Sequence, residues 1–335
     1  MGVWKMLEVP GFVDLQVNGY LGVDFSDPTL TEEQFLYAAR KLLDTGCAAF
    51  LPTIITSSAE TYQRNLGLIA RIIHTPEFEN RILGIHAEGP FLSDKPGAVG
   101  AHNPEWVRMP DPAFFDQMQE WAEGTIRILT IAAENPGAEE LTRHVVSKGV
   151  VVSLGHQLAT GEDMERCRAA GATWMTHLGN GMPNEVNRHR NPLLDGLGMD
   201  GITAGIITDS HHLPVPLVKT IIRAKGVDQV VAVSDASSLA GMPPGRYHSM
   251  GNDVVIEENG YLHNPAKRCL VGSSATIFGC VKVLCTIPEL TPAQIIALAF
   301  ENPLKLIGVD PAVIHADYRC VWSEAAHCFE VVRSA

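Results

Sequence analysis

The sequence has no CxxC pair, no run of Lys or Arg and no long apolar stretch, and each absence closes off a class of function. Seven cysteines, an odd number scattered from Cys47 to Cys328, fit neither a disulfide framework nor a thiolate zinc site, and they read as reduced and mostly buried. A net charge of −13 repels phosphate backbones, and with no basic stripe to offset that field, no nucleic-acid partner is expected. The longest apolar segments are broken by Gly, Thr or Asp and fall short of a membrane span. The opening MGVWKMLEVPGFVD has no signal-like apolar region or cleavage site, so no membrane partner and a cytoplasmic location are expected.

What is present is ample core material. A chain of 335 residues with 46% hydrophobic content buries about 75% of its unfolded surface, enough for stability without cross-links. Eight short β-branched or apolar runs recur, at 11–19, 47–56, 82–89, 126–134, 150–156, 173–179, 202–209 and 230–236. Between most of them lie stretches of helical spacing, at 31–44, 59–74, 138–148, 161–170 and 214–225. Strand then helix, eight times over, predicts an α/β protein with a (β/α)8 TIM-type barrel. A doubly wound open sheet is the competing reading, but no GxGxxG follows the first run and no phosphate-binding Walker loop appears. The barrel is expected over 10–308, interrupted by an insertion at 237–272 whose DVVIEENGYLH segment reads as a hairpin that caps the mouth or joins a minor sheet. Helical spacing resumes at 275–284 and 293–301. Residues 1–9 and 309–335, the latter with two short strands, form a small, reduced accessory β element.

Function in such a barrel gathers where the strands end. At or near the end of the third run stands Glu88, of the fifth His156, of the sixth His177 and of the eighth Asp235. A carboxylate and two imidazoles supply three ligands, and a fourth position left to water is the arrangement of a catalytic zinc-type site, with Asp235 placed to take a proton from that water. Each residue alone also fits a structural role: a hydrogen-bonded histidine, a carboxylate paired with a surface cation, an aspartate capping a turn. Four of them at four strand ends favour the metal site. His86 shares the side of its strand with Glu88, in a supporting role or as an ordinary interior residue. Asp14, Gln16 and Asn18 share one face of the first strand, and amides are weak ligands beside imidazole, so a single divalent ion per chain is expected. Zinc leads, and iron, cobalt and manganese suit the same donors.

The segments PGFVDLQVNG, HAEGPFL, GAHNPE, SLGHQLAT, GATWMTHLGNGMP, SDASSLAG and GSSAT, in this order along nearly the whole chain, resemble the N-acetylglucosamine-6-phosphate deacetylases of the amidohydrolase superfamily. The resemblance implies hydrolysis of the acetamide of a 2-acetamido sugar 6-phosphate to acetate and an amino sugar phosphate. It implies that Glu88, His156 and His177 bind the metal, that Asp235 acts as base and then acid, and that His102 contacts substrate and polarises the acetamide carbonyl. Asn180, Gly181 and His212 would line the sugar or phosphate pocket. Members with two metals carry HxH on the first strand where this chain has Gln16 and Asn18. The phosphate-reading Arg of the family maps onto NRHRNP, where Arg190 keeps the spacing to Pro192 and Arg188 is the second choice. A homodimer whose partner loop completes the pocket is also implied. The alternatives are another amidohydrolase acting on an unphosphorylated N-acyl sugar, a cyclic amide or an N-acyl amino acid, and a non-catalytic sugar-phosphate binder on the same barrel.

Overall fold

The computed structural model describes residues 7–249, 252–266 and 269–333. Eight parallel strands form one sheet: β1 (Phe12–Val17), β2 (Cys47–Ile55), β3 (Ile85–Glu88), β4 (Ile126–Ile131), β5 (Val151–Leu154), β6 (Trp174–Met175), β7 (Thr203–Ile207) and β8 (Val230–Val233). Each pairs in parallel with the next, and a parallel bridge between Val17 and Ala236 joins the last strand to the first, so the sheet curls into a barrel. The strands read as continuous apolar runs because both faces are covered, by helices outside and by opposing strands within. β2 shows it plainly, with every residue from Cys47 to Ile54 buried.

The helices form for local reasons. In α1 (Glu32–Leu43) Thr31 and Gln34 make a reciprocal capping box, Glu32 and Glu33 sit at the start, and Arg40 and Lys41 sit at the end. Phe35, Ala38, Ala39, Leu42 and Leu43 recur at helical spacing and are buried against the barrel. α2 (Ala59–Ile73), α4 (Ala138–Ser147), α5 (Gly161–Ala169) and α7 (Val215–Lys225) match the expected stretches. Two barrel helices were not anticipated: α3 (Pro112–Trp121) and the short α6 (Pro192–Gly198). Each opens with a side-chain cap, Asp111 or Asn191, followed by Pro at the first helical position. α6 has two glycines in seven residues, which weakens any propensity signal.

After β8 the insertion folds as its own four-stranded antiparallel sheet, β9 (Gly245–Ser249), β10 (Asn252–Ile256), β11 (Leu262–Asn264) and β12 (Cys269–Leu270). The expected hairpin is its β10–β11 unit, and Leu239, Val254, Ile256, Leu262 and Val271 make a small core apart from the main one. α8 (Ile277–Cys285) then closes the barrel wall. The helix expected over 293–301 runs further: α9 (Pro292–Ile296) passes through a π turn at Ala297–Glu301 into α10 (Asn302–Leu306). Pro303 has no N–H to return to the carbonyl four residues back, which favours the wider turn at that point. At the edge, Glu8–Val9 pairs antiparallel with β13 (Tyr318–Ser323), which pairs with β14 (Cys328–Arg333). Phe329 packs edge-on against Phe12 at 5.3 Å, and the Tyr318 hydroxyl donates to the Leu43 carbonyl at 2.7 Å, fixing this sheet to the barrel.

Candidate active site

A cavity of about 370 Å³ opens where the barrel strands end. Glu88 leaves β3 at its floor, fully enclosed, with His156 and His177 arriving from the loops after β5 and β6. His177 Nε2 lies 3.0 Å from Glu88 Oε1 and 3.0 Å from His156 Nε2, and His156 Nε2 lies 3.3 Å from the same carboxylate oxygen. Burial would raise the pKa of Glu88, but its hydrogen bonds to the two imidazoles hold it well below the ordinary range, so it is ionised.

Hydrogen bonds fix which ring nitrogens carry protons. His156 Nδ1 lies 2.8 Å from the Ala98 carbonyl, which can only accept, so this nitrogen donates and the ring turns its Nε2 into the cluster. The situation at His102 is reversed. The Thr56 backbone N–H donates to His102 Nδ1 at 3.2 Å, so the proton of the neutral ring sits on Nε2, 3.3 Å from His156 Nε2 and 3.9 Å from Glu88 Oε2. Burial pushes the pKa of His102 down to about 3, which keeps it neutral.

These residues fit a divalent metal. The donor atoms of Glu88, His156 and His177 lie within 4.8 Å of one another, and two imidazole nitrogens 3.0 Å apart beside one carboxylate oxygen are a donor set that a cation among them would satisfy. The supporting contacts come from β1. Gln16 Nε2 donates to Glu88 Oε1 at 2.8 Å while its carbonyl oxygen accepts from the Thr176 hydroxyl, and Asn18 Nδ2 donates to Asp235 Oδ1 at 2.7 Å. The strand therefore spends its amides on holding carboxylates. His86 is also committed elsewhere, to the Thr130 hydroxyl at 2.7 Å and the Leu15 carbonyl at 3.1 Å, inside the barrel below the cluster.

Asp235 lines the cavity, and although part of it opens to the pocket, desolvation and the charge of Glu88 raise its pKa to about 6. His156, His177 and Asp235 all have left-handed backbones, with φ of 51°, 26° and 50°. Each such residue costs about 1–3 kcal/mol, and strain of this kind collects at functional sites because the turn aims a side chain across the strand direction. Gly181 is left-handed as well (φ 59°), and a Cβ there would stand 3.1 Å from both His156 Nδ1 and His177 Cε1. Glycine is what lets this loop lie against the two rings.

Asn180, Gly181, His102 and His212 all line the cavity. His212 Nδ1 pairs with Asp209 Oδ2 at 2.8 Å, leaving Nε2 for the pocket. Arg190 and Arg188 do not line it; both are exposed on the loop between His177 and α6, and among the described residues no Lys or Arg lines this cavity. Sequence reasoning missed Thr56, which sets the His102 tautomer, and Tyr261, which comes from the β10–β11 turn of the insertion. Tyr261 stacks on His263 at 4.6 Å and leans on His211 at 5.6 Å, while His211 Nε2 donates to the Asn259 carbonyl at 3.0 Å. The insertion thus forms part of the pocket wall. An expected mouth-capping role was the only signal for that.

No protein-family model matches the chain. An N-acetylgalactosamine-6-phosphate deacetylase of Escherichia coli O157:H7 is 31% identical over 305 residues, covering 90% of this chain and 78% of that protein. An N-acetylglucosamine-6-phosphate deacetylase of Haemophilus influenzae is 33% identical over 303 residues, covering 90% and 77%. Among solved structures, a mutant N-acetyl-D-glucosamine-6-phosphate deacetylase from Mycobacterium smegmatis in complex with N-acetyl-D-glucosamine-6-phosphate superposes with a TM-score of 0.86 at 27% identity, covering 97% of this chain and 85% of that one.

Proposed function

The chain belongs to the N-acetylglucosamine-6-phosphate deacetylase family of amidohydrolases, and on that premise we propose how its residues carry out the reaction. It is a metal-dependent hydrolase that removes the acetyl group from N-acetylglucosamine 6-phosphate, giving glucosamine 6-phosphate and acetate. Glu88, His156 and His177 hold one divalent ion, with zinc the proposed metal. When bound, that ion supplies Lewis-acid chemistry, polarising a carbonyl and lowering the pKa of water.

The chain's own groups do the rest. Asp235 accepts a proton from the attacking water and returns it to the amine nitrogen as the carbon–nitrogen bond breaks, which completes the proton balance. His102 donates its Nε2–H to the acetamide carbonyl oxygen, where negative charge develops. Asn180, held to the His177 carbonyl through its amide at 3.2 Å, and Gly181 shape the sugar wall. His212 and Arg190 hold the phosphate. A dianion needs a local cation in a chain of net charge −13, yet the cations nearest in sequence to the site stand outside the cavity. That supports a homodimer in which Arg190 of one protomer reaches the pocket of its partner. Among the described residues, six cysteines are free, and this together with a phosphorylated substrate supports the cytoplasm.

The observation that carries the reading is the meeting of Glu88, His156 and His177 in one enclosed cluster, with the protonated edge of His102 turned onto it. The test is acetate release from N-acetylglucosamine 6-phosphate beside unphosphorylated N-acetylglucosamine. Strong preference for the phosphorylated sugar is expected, and Arg190→Ala should raise its KM steeply while leaving the other substrate alone. Equal turnover of both sugars would move the assignment to an unphosphorylated N-acyl substrate.

A further inference from the structure

Asp14 is an unexplained expense. It sits on β1 with no exposure to solvent and touches neither the metal cluster nor the cavity. Among the described residues its hydrogen bonds are to Ser234 and Gln16 only, with no cationic partner. Burying a carboxyl group this way costs several kcal/mol unless its hydrogen bonds are good, and an apolar side chain would fill the same place at no such cost. Desolvation raises its pKa to about 7, which is the mark of that cost.

What the carboxyl group holds is Ser234, the residue before Asp235, and through the Ser234 hydroxyl the N–H of Ala236, the residue after it. Its Oδ1 accepts the Ser234 N–H at 3.1 Å, and its Oδ2 accepts the Ser234 hydroxyl proton. With that proton committed, the hydroxyl oxygen is free to accept the Ala236 N–H at 3.0 Å. Residues 234 and 236 are thus clamped from one point, and the residue between them is the one with the left-handed backbone at φ 50°. On the far side, the Asp235 carbonyl accepts from Ser273 N–H at 3.1 Å and the Ala236 carbonyl accepts from Asn18 N–H at 2.7 Å. A non-glycine residue keeps that conformation only where its surroundings over-determine it.

We propose that Asp14 is a positioning residue for the reaction, acting through Ser234 to lock the turn that aims the Asp235 carboxylate into the cavity. The inference rests on the reading of Asp235 as the base. An amide cannot replace the carboxylate here: of its two ends only one accepts, so either the Ser234 N–H or the Ser234 hydroxyl proton loses its acceptor.

The test compares Asp14→Asn, Ser234→Ala, Asp235→Asn and the double variant Asp14→Asn/Asp235→Asn, each with its metal content measured. Asp14→Asn and Ser234→Ala are expected to lower kcat by about 10- to 100-fold, the usual loss for a group displaced by an ångström or less, with KM within about twofold and metal content unchanged. In the Asp235→Asn background, Asp14→Asn should cost nothing more. A normal kcat in folded Asp14→Asn or in Ser234→Ala, beside a crippled Asp235→Asn, would overturn the positioning role and leave the base in place. An equal loss in both backgrounds would overturn it too, because Asp14 would then act independently of Asp235. Near-normal turnover in Asp235→Asn would overturn the reading of the base itself. If Asp14→Asn does not fold, Ser234→Ala decides alone, since it removes a single oxygen.

Discussion

Replacing Asp235 by Asn separates proton transfer from everything else the site does. The variant keeps the size of the side chain, and its carbonyl oxygen still accepts from Asn18 Nδ2, now 2.7 Å from Asp235 Oδ1. It removes no metal ligand, and it takes away a negative charge that sits close enough to Glu88 for the two to raise one another's cost. With Glu88, His156 and His177 all in place, metal content should stay close to that of the parent enzyme. What disappears is the capacity to take a proton and return it. General acid–base groups contribute about 10²- to 10⁴-fold, and at about 1.36 kcal/mol per tenfold that is about 2.7–5.4 kcal/mol on the barrier. The loss is expected in kcat, with KM changed by no more than a few-fold, because proton transfer belongs to the transition state and not to ground-state binding. Acetate release over a range of substrate concentrations, with elemental analysis of the same preparation, measures both quantities. A variant with full metal and a kcat within tenfold of the parent enzyme would refute the assignment of Asp235 as the base.

Four further outcomes are expected. His102→Ala should keep its metal and lose less rate than Asp235→Asn, since the carbonyl polarisation proposed for it would be shared with the ion; a loss larger than that of Asp235→Asn in steady-state assays would contradict this order. Gly181→Ala combines about 1–2 kcal/mol of left-handed strain with a Cβ 3.1 Å from the His156 and His177 rings, the proposed ligands, so metal titration should show at least about a tenfold weaker affinity while circular dichroism is unchanged. Chelation should abolish activity, one equivalent of divalent ion per chain should restore it, and the ion at 1,000 times its Kd should stabilise the fold by about 4 kcal/mol in thermal melts; a requirement for two equivalents would contradict the single-ion reading. Burial opposes ionisation of Asp209, but the hydrogen bond and charge of His212 and two backbone N–H groups hold its pKa well below the ordinary value. Its stabilisation is therefore present above about pH 4 and fades as the pH falls through the lowered folded value, so the stability gap between parent and Asp209→Asn should be widest near neutrality and shrink in acid, as followed by denaturant melts.

The barrel was legible because parallel strands buried on both faces must be apolar throughout, and eight such runs alternating with capped, amphipathic helices leave few other architectures. α1 shows the limit of local signals at their strongest, where capping, end charges and apolar spacing agree. α6 shows the opposite, since two glycines and seven residues give periodicity nothing to act on. The residues at the ends of β3, β5, β6 and β8 could be picked out for the same reason: a polar group that closes an apolar run stands out, and strand order alone brings it to the mouth.

Three matters were decided only by the tertiary structure. The tautomers of His102 and His156 depend on Thr56 and Ala98, which lie 46 and 58 positions away, and no spacing rule links a ring to a distant backbone N–H or carbonyl. The left-handed turns at His156, His177 and Asp235 contradict local preference, and they persist because contacts from other strands outweigh about 1–3 kcal/mol of strain at each. The polar face of β1 read as an absence, a strand without metal ligands, whereas in space Asp14, Gln16 and Asn18 reach Ser234, Glu88 and Asp235, which lie 220, 72 and 217 positions away. Apolar periodicity is a property of neighbours along the chain and survives in the sequence. Hydrogen-bond partnership across a closed barrel is a property of neighbours in space, which exist only once the eighth strand has met the first.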